Sequence, residues 1–141
     1  MTELENSEVV KYVLQKLIDI SSRKTTAGHA VSTMHDLVKN LEKKYIFLKN
    51  VEIKDPRFIE ISEPVTVMTG INGTKLVEVG KALTDIIKTM QLKLGDEAGY
   101  FFIKEFKNSL EAEYSTTMEE MGLDLGLMQL EFEVNKMIKK L

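Results

Sequence analysis

Between Thr74 and Leu94 the chain reads TKLVEVGKALTDIIKTMQLKL, with apolar residues at Leu76, Val79, Leu83, Ile86, Ile87, Met90 and Leu94. Gaps of three and four place them on one stripe of an α-helix, where residues at that spacing are neighbours. Lys75, Glu78, Lys81, Asp85 and Lys88 fall mostly off the stripe. At about 1.5 Å per residue this helix is roughly 30 Å long, the width of a small domain. The rest of the chain is expected to supply cover for its apolar side. Gly80 lies on the stripe, between Leu76 and Leu83. A glycine inside a helix costs about 1 kcal/mol relative to alanine. The expected compensation is a second helix packing closely where no side chain stands.

Two helices are expected before this one. Glu3 to Ser21 carries Val9 or Val10, Val13, Leu14, Leu17 and Ile18 at helical spacing, with Ile20 as an extension. Acidic residues at its start and Arg23 and Lys24 after its end suit the helix macrodipole. Ala27 to Lys44 carries Ala30 or Val31, Met34, Leu37, Val38, Leu41 and Tyr45. The polar link between them is short, with Thr25 or Thr26 as the cap of the second helix, so an antiparallel hairpin is expected.

The period then changes. Val51-Glu52-Ile53-Lys54 and Phe58-Ile59-Glu60-Ile61 alternate apolar with charged residues, which is the pattern of strands. A three-residue loop, Asp55 to Arg57, pairs Ile53 with Ile59 and Val51 with Ile61 and gathers one apolar face. Val65 to Thr69 is a third strand or an extension beyond a bulge, since Pro64 cannot donate to a ladder. In the loop that follows, Asn72 or Thr74 is expected to cap the central helix.

Beyond Leu94, a helix over Ala98 to Leu110 turns Phe102, Ile103, Phe106 and Leu110 inward, with Asp96 as its N-cap. Thr116 with Glu119, or Thr117 with Glu120, fits a capping box that opens a short helix closed by Gly122. A last helix, Leu125 to Leu141, carries Leu127, Leu130, Val134, Met137 or Ile138, and Leu141 at helical spacing.

A length of 141 residues fits one domain, and a hydrophobic fraction of 43% is ample for a core. Cysteine is absent, which removes disulfides, thiolate metal sites and cysteine nucleophiles. The start, MTELENSEVV, lacks the layout of a signal peptide, and no apolar run approaches the roughly 18 residues of a membrane span. The net charge of −3 argues against sequence-independent nucleic-acid binding, which requires a basic footprint. A cytoplasmic protein with no membrane segment and no cofactor is expected.

The best candidate for anion binding is the link Arg23, Lys24, Thr25, Thr26, Gly28 and His29. It brings cations, hydroxyls and backbone N–H groups to a helix N-terminus, although it does not match a phosphate-binding P-loop. Asn72-Gly73-Thr74 is a weaker site of the same kind. Tyr100 and Phe101 fall off the stripe shared by Phe102 and Phe106, and are candidates for a partner surface or a pocket rim. His29 and His35 point about 120° apart on one helix, so they do not form a metal site by themselves. Glu111, Glu113, Glu119, Glu120 and Asp124 read as a solvated acidic face. Met118, Met121, Met128 and Met137 read as core, with an adaptable groove as the alternative. No nucleophile elbow or dinucleotide fingerprint is present.

The fold expected from these patterns is a single helix-dominated α+β domain. Four to five helices form a bundle, and a small antiparallel sheet of two or three strands is inserted after the second helix. Apolar residues at the stripe edges of the first and last helices point to a homodimer or a protein partner. The leading functional expectation is a non-catalytic interaction or regulatory module acting through a helical face or a homodimer. Next come a binding protein for an apolar or anionic small molecule and an enzyme of unidentified type.

Overall fold

The most fully covered helix is the first, α1 (Asn6–Lys24), which buries Val9, Val10, Val13, Leu14, Leu17, Ile18 and Ile20. These residues are too many for one narrow stripe, and α1 accordingly has neighbours on several sides. α2 (Ala27–Leu41) packs against it and buries Ala30, Val31, Met34, Leu37 and Val38. Its capping residue is Thr26, whose hydroxyl accepts the His29 N–H at 3.1 Å. The structure, a computed structural model, describes residues 4–54 and 64–139, without the side chains of Asp96, Glu97, Tyr100, Lys136 and Lys139.

After α2 a 3-10 turn, Ile46–Asn50, leads into β1 (Val51–Ile53), which pairs antiparallel with β2 (Val65–Val67). The register sets Val51 opposite Val67 and Ile53 opposite Val65, with Glu52 opposite Thr66 on the outer side. The one-apolar-face logic therefore holds with Val65 and Val67 as the partners found. Phe58–Ile61, the strand expected beside β1, lies outside the described residues. A second 3-10 turn, Thr69–Gly73, precedes α3 (Leu76–Lys93).

α3 buries Val79, Leu83, Ile86, Ile87 and Met90, as its period predicts, while Leu76 is exposed at 41%. A Cβ added to Gly80 would lie 2.0 Å from the carbonyl oxygen of Met121. The close approach expected at Gly80 is thus real, but it comes from the backbone just past α5 (Ala112–Glu120) rather than from the side of a helix. Gly122 makes that approach feasible. Its φ of +89° closes α5, with Gly122 N–H on Glu119 O and Leu123 N–H on Met118 O, both at 3.0 Å. This is the Schellman arrangement, and it brings Leu123 and Met118 into the core together.

Several expected caps are corrected. Asn72 does not cap α3, whose N-cap is Lys75 without a side-chain bond. It caps α1 instead: its Oδ1 accepts the Ser7 N–H at 2.8 Å and its Nδ2 donates to Glu5 Oε2 at 3.0 Å. Asn6 answers by donating to the carbonyls of Ile71 and Thr74 at 3.1 and 2.8 Å. The Thr69–Gly73 turn is therefore clamped to the start of α1, and buried Asn6 is satisfied. α4 (Gly95–Ser109) begins before Asp96, because the chain reverses at Gly95, whose φ is +86°. Thr116 and Thr117 lie inside α5, not ahead of it. Their hydroxyls donate to the carbonyls of Ala112 and Glu113, a bond that lets threonine sit within a helix. The final helix, α6 (Leu125–Lys139), leans on α4, and Asp124 Oδ1 accepts the Leu127 N–H at 2.9 Å.

Among the described residues, six helices and a two-stranded antiparallel sheet after α2 make a helix-dominated α+β fold. Its core sits between α1, α2, α3 and α4, with Phe102 and Phe106 of α4 fully buried in it.

Candidate functional site

α6 has eight apolar residues: Leu125, Leu127, Met128, Leu130, Phe132, Val134, Met137 and Ile138. Of these only Met128 is buried. Leu127, Leu130, Val134, Met137 and Ile138 are 50%, 55%, 44%, 68% and 60% exposed. At about 100° per residue these five fall within an arc of roughly 100°, and Met128 lies outside it. The helix is held to the body by its other side. Phe132 approaches α4 so closely that a Cβ on Gly99 would sit 3.2 Å from its ring. Lys88 of α3 reaches Glu131 at 3.1 Å. Docked along one side and capped at its start, α6 presents an apolar ridge to solvent. Scattered single apolar residues are ordinary on a surface, but a continuous ridge of five is not.

The Arg23–His29 link joins α1 to α2, as the sequence indicates, and the side chains of Lys24, Thr25 and Thr26 have partners within the protein. Lys24 Nζ meets Glu105 Oε1 of α4 at 2.6 Å. Thr25 Oγ1 donates to Ser21 O at 2.9 Å, and Thr26 Oγ1 is the α2 cap described above. Arg23, Gly28 and His29 are exposed. Phe101 is 46% exposed on α4. Tyr100 lies in the same helix, with its side chain outside the described part.

Two other arrangements stand out. A cleft of about 440 Å³ opens between the end of α4, α5 and the start of α6. Leu110, Met118, Leu123 and Leu125 line it together with Lys107 and Asp124. Between the end of α2 and α3, Tyr45 donates its hydroxyl to Asp85 Oδ2 at 2.6 Å, and Lys44 Nζ reaches the same oxygen at 3.1 Å. Burial raises the Tyr45 phenol above its ordinary value, and the bond to Asp85 adds to the rise. The hydrogen bond to Asp85 likewise raises Lys44. This cluster ties the end of α2 to α3.

Among the described residues no group of three His, Asp or Glu side chains is placed to hold a metal ion. No helix among them is long and apolar enough to cross a membrane. Three of the four methionines singled out in the sequence, Met118, Met121 and Met128, are core, whereas Met137 lies on the exposed ridge. Residues 127, 130, 134 and 137 alternate gaps of three and four, as do 76, 79, 83, 86 and 90 of the buried α3, so the spacing marks the apolar side of α6 but not that it is left open. Comparison with family models, curated proteins and solved structures yields no match.

Proposed function

We propose that this protein is a non-catalytic interaction module that works by pairing with a second copy of itself through the apolar ridge of α6. The observation that carries this reading is the exposure of Leu127, Leu130, Val134, Met137 and Ile138 on one side of a helix whose other side is docked. Fully burying such a side chain contributes about 1.5–3 kcal/mol. Roughly half of each remains to be buried, which gives about 1 kcal/mol apiece and about 10 kcal/mol over two copies. Association costs about 4–15 kcal/mol in lost freedom. The two are of one size, so the pair forms reversibly and in proportion to concentration. Sedimentation equilibrium tests it: the mean mass rises from 16.1 kDa towards twice that value with concentration. The double variant Leu130→Glu, Val134→Glu stays at the lower mass. A wild-type chain that stays monomeric at the highest attainable concentration overturns the reading.

A second reading, binding of a small apolar or anionic molecule, is favoured by the cleft beside Leu110, Met118 and Lys107. A ligand held only by the folded chain raises its melting temperature. A thermal-shift screen of fatty acids and aromatic carboxylates tests it, and Met118→Trp, which fills the cleft, abolishes any shift seen.

A further inference from the structure

Asn72 is the one asparagine in the chain that is followed by glycine. That pair is the most reactive setting for an asparagine side chain, because the glycine has no Cβ to hold its nitrogen off the amide carbon. Gly73 is exposed, and a Cβ built there would meet nothing within 4 Å, so water reaches the site. We infer that Asn72 is a site of spontaneous modification: its amide hydrolyses to a carboxylate, and the product releases the clamp between the Thr69–Gly73 turn and the start of α1. This does not depend on how α6 is used.

The chemistry uses only the chain and water. The Gly73 nitrogen attacks Asn72 Cγ and gives up its proton as the new N–C bond forms. The bond from Cγ to Nδ2 breaks, and the amide nitrogen leaves as ammonia. Water then opens the resulting succinimide ring at one of its carbonyls. One product has aspartate at position 72, and the other has isoaspartate, with an extra methylene in the main chain. The folded clamp slows the first step. Asn72 Oδ1 accepts the Ser7 N–H at 2.8 Å and Nδ2 donates to Glu5 Oε2 at 3.0 Å, which aims the amide at α1. Bringing Cγ to the Gly73 nitrogen means turning the side chain away from both partners. The step therefore proceeds when the clamp opens, and conversion prevents it from closing again.

An aspartate at position 72 keeps the acceptor for Ser7, since it caps a helix as well as asparagine does. It loses the donor to Glu5 and sets one negative oxygen against another at hydrogen-bond distance. Glu5 is bound into a reciprocal capping box with Glu8, whose Oε2 accepts the Glu5 N–H at 3.0 Å, so turning it away costs α1 a cap. The α1 dipole favours an added negative charge, but it amounts to roughly half an elementary charge spread over several N–H groups. Glu5 is a full charge in contact, and repulsion prevails. The isoaspartate product does more: its added methylene displaces Thr74, whose carbonyl accepts from buried Asn6 at 2.8 Å.

Ageing the folded protein at mildly alkaline pH, followed by peptide mapping with mass spectrometry, locates the conversion. Position 72 is expected to convert ahead of every other asparagine. Asn6→Ala loosens the turn and leaves the Asn–Gly pair intact, so position 72 should convert several-fold faster in it, with far-UV circular dichroism checking that the variant is folded. The same acceleration is expected of the wild type in urea, which serves if N6A fails to fold. Asn72→Asp mimics the first product. It should melt several degrees below the wild type, with faster amide exchange at the start of α1, and Glu5→Gln in the same chain should restore most of the loss. Earlier conversion at another asparagine, an unchanged rate once the clamp is loosened, or a wild-type melting temperature in N72D overturns the inference. So does a deficit that E5Q leaves in place.

Discussion

α1 and α6 contain the same number of apolar residues and use them in opposite ways. α1 has Val9, Val10, Tyr12, Val13, Leu14, Leu17, Ile18 and Ile20, and all but Tyr12 are buried. α6 has eight in a shorter helix, and one is buried. The difference is not composition but what the chain places beside each helix. α1 is faced by α2, α3, α4, α5, the sheet and the clamped Thr69–Gly73 turn, whereas α6 is faced chiefly by α4. Burial is a property of neighbours, and a helix with one neighbour keeps an apolar side open unless something outside the chain covers it.

The comparison is sharpest if the two helices respond differently to the same change. Leu14→Ala in α1 is expected to cost about 2–5 kcal/mol, the range for a fully buried leucine, read as a lower denaturation midpoint with unchanged slope. Gly80→Ala is expected to cost about 1–3 kcal/mol or more, because the new methyl meets the Met121 carbonyl, which has no side-chain freedom to yield. Chemical denaturation measures both, and a neutral Gly80→Ala would contradict the packing of α5 on α3. Asn72→Ala removes the acceptor of the Ser7 N–H and should cost about 1–2 kcal/mol. Faster amide exchange at the start of α1 would accompany it.

The Tyr45 cluster predicts a smaller, pH-dependent effect. The phenol is held above its ordinary value, so the unfolded chain ionises it first as pH rises. Its contribution is fully present below about pH 10 and is lost as pH climbs through the raised value. Lys44, also raised, acts in the same direction. Melting temperature should fall less steeply above pH 10 in Tyr45→Phe than in the wild type. Smallest of all, Leu130→Ala should change the stability of the dilute, unpaired chain by no more than about 0.5 kcal/mol, as at any exposed site. A loss as large as that at Leu14 would mean that α6 is a core helix after all.

The same contrast explains what the sequence could and could not reveal. The inward faces of α1, α2, α3 and α4 were legible, since Val13, Met34, Leu83 and Phe102 repeat at helical spacing and the chain supplies their cover. The caps were less legible. Asn72 could serve the helix after it or one that begins 66 residues earlier at Asn6, and only the fold decides between them. Likewise, periodicity shows which side of α6 is apolar but not whether a neighbour exists to cover it. In the Arg23–His29 link, residue types show a cluster of cations and hydroxyls but not that Lys24 meets Glu105 from a distant helix.

The pairing through α6 is tested most directly by methionine oxidation as a function of protein concentration. Met137 lies on the ridge at 68% exposure, Met68 lies off α6 at 52%, and Met128 is buried at 4%. Dilute chains treated with peroxide should oxidise Met137 and Met68 readily and Met128 slowly. On concentration, Met137 alone should become protected as the second copy covers it. If Met137 and Met68 oxidise in constant proportion at every concentration, the ridge stays open and the pairing does not occur.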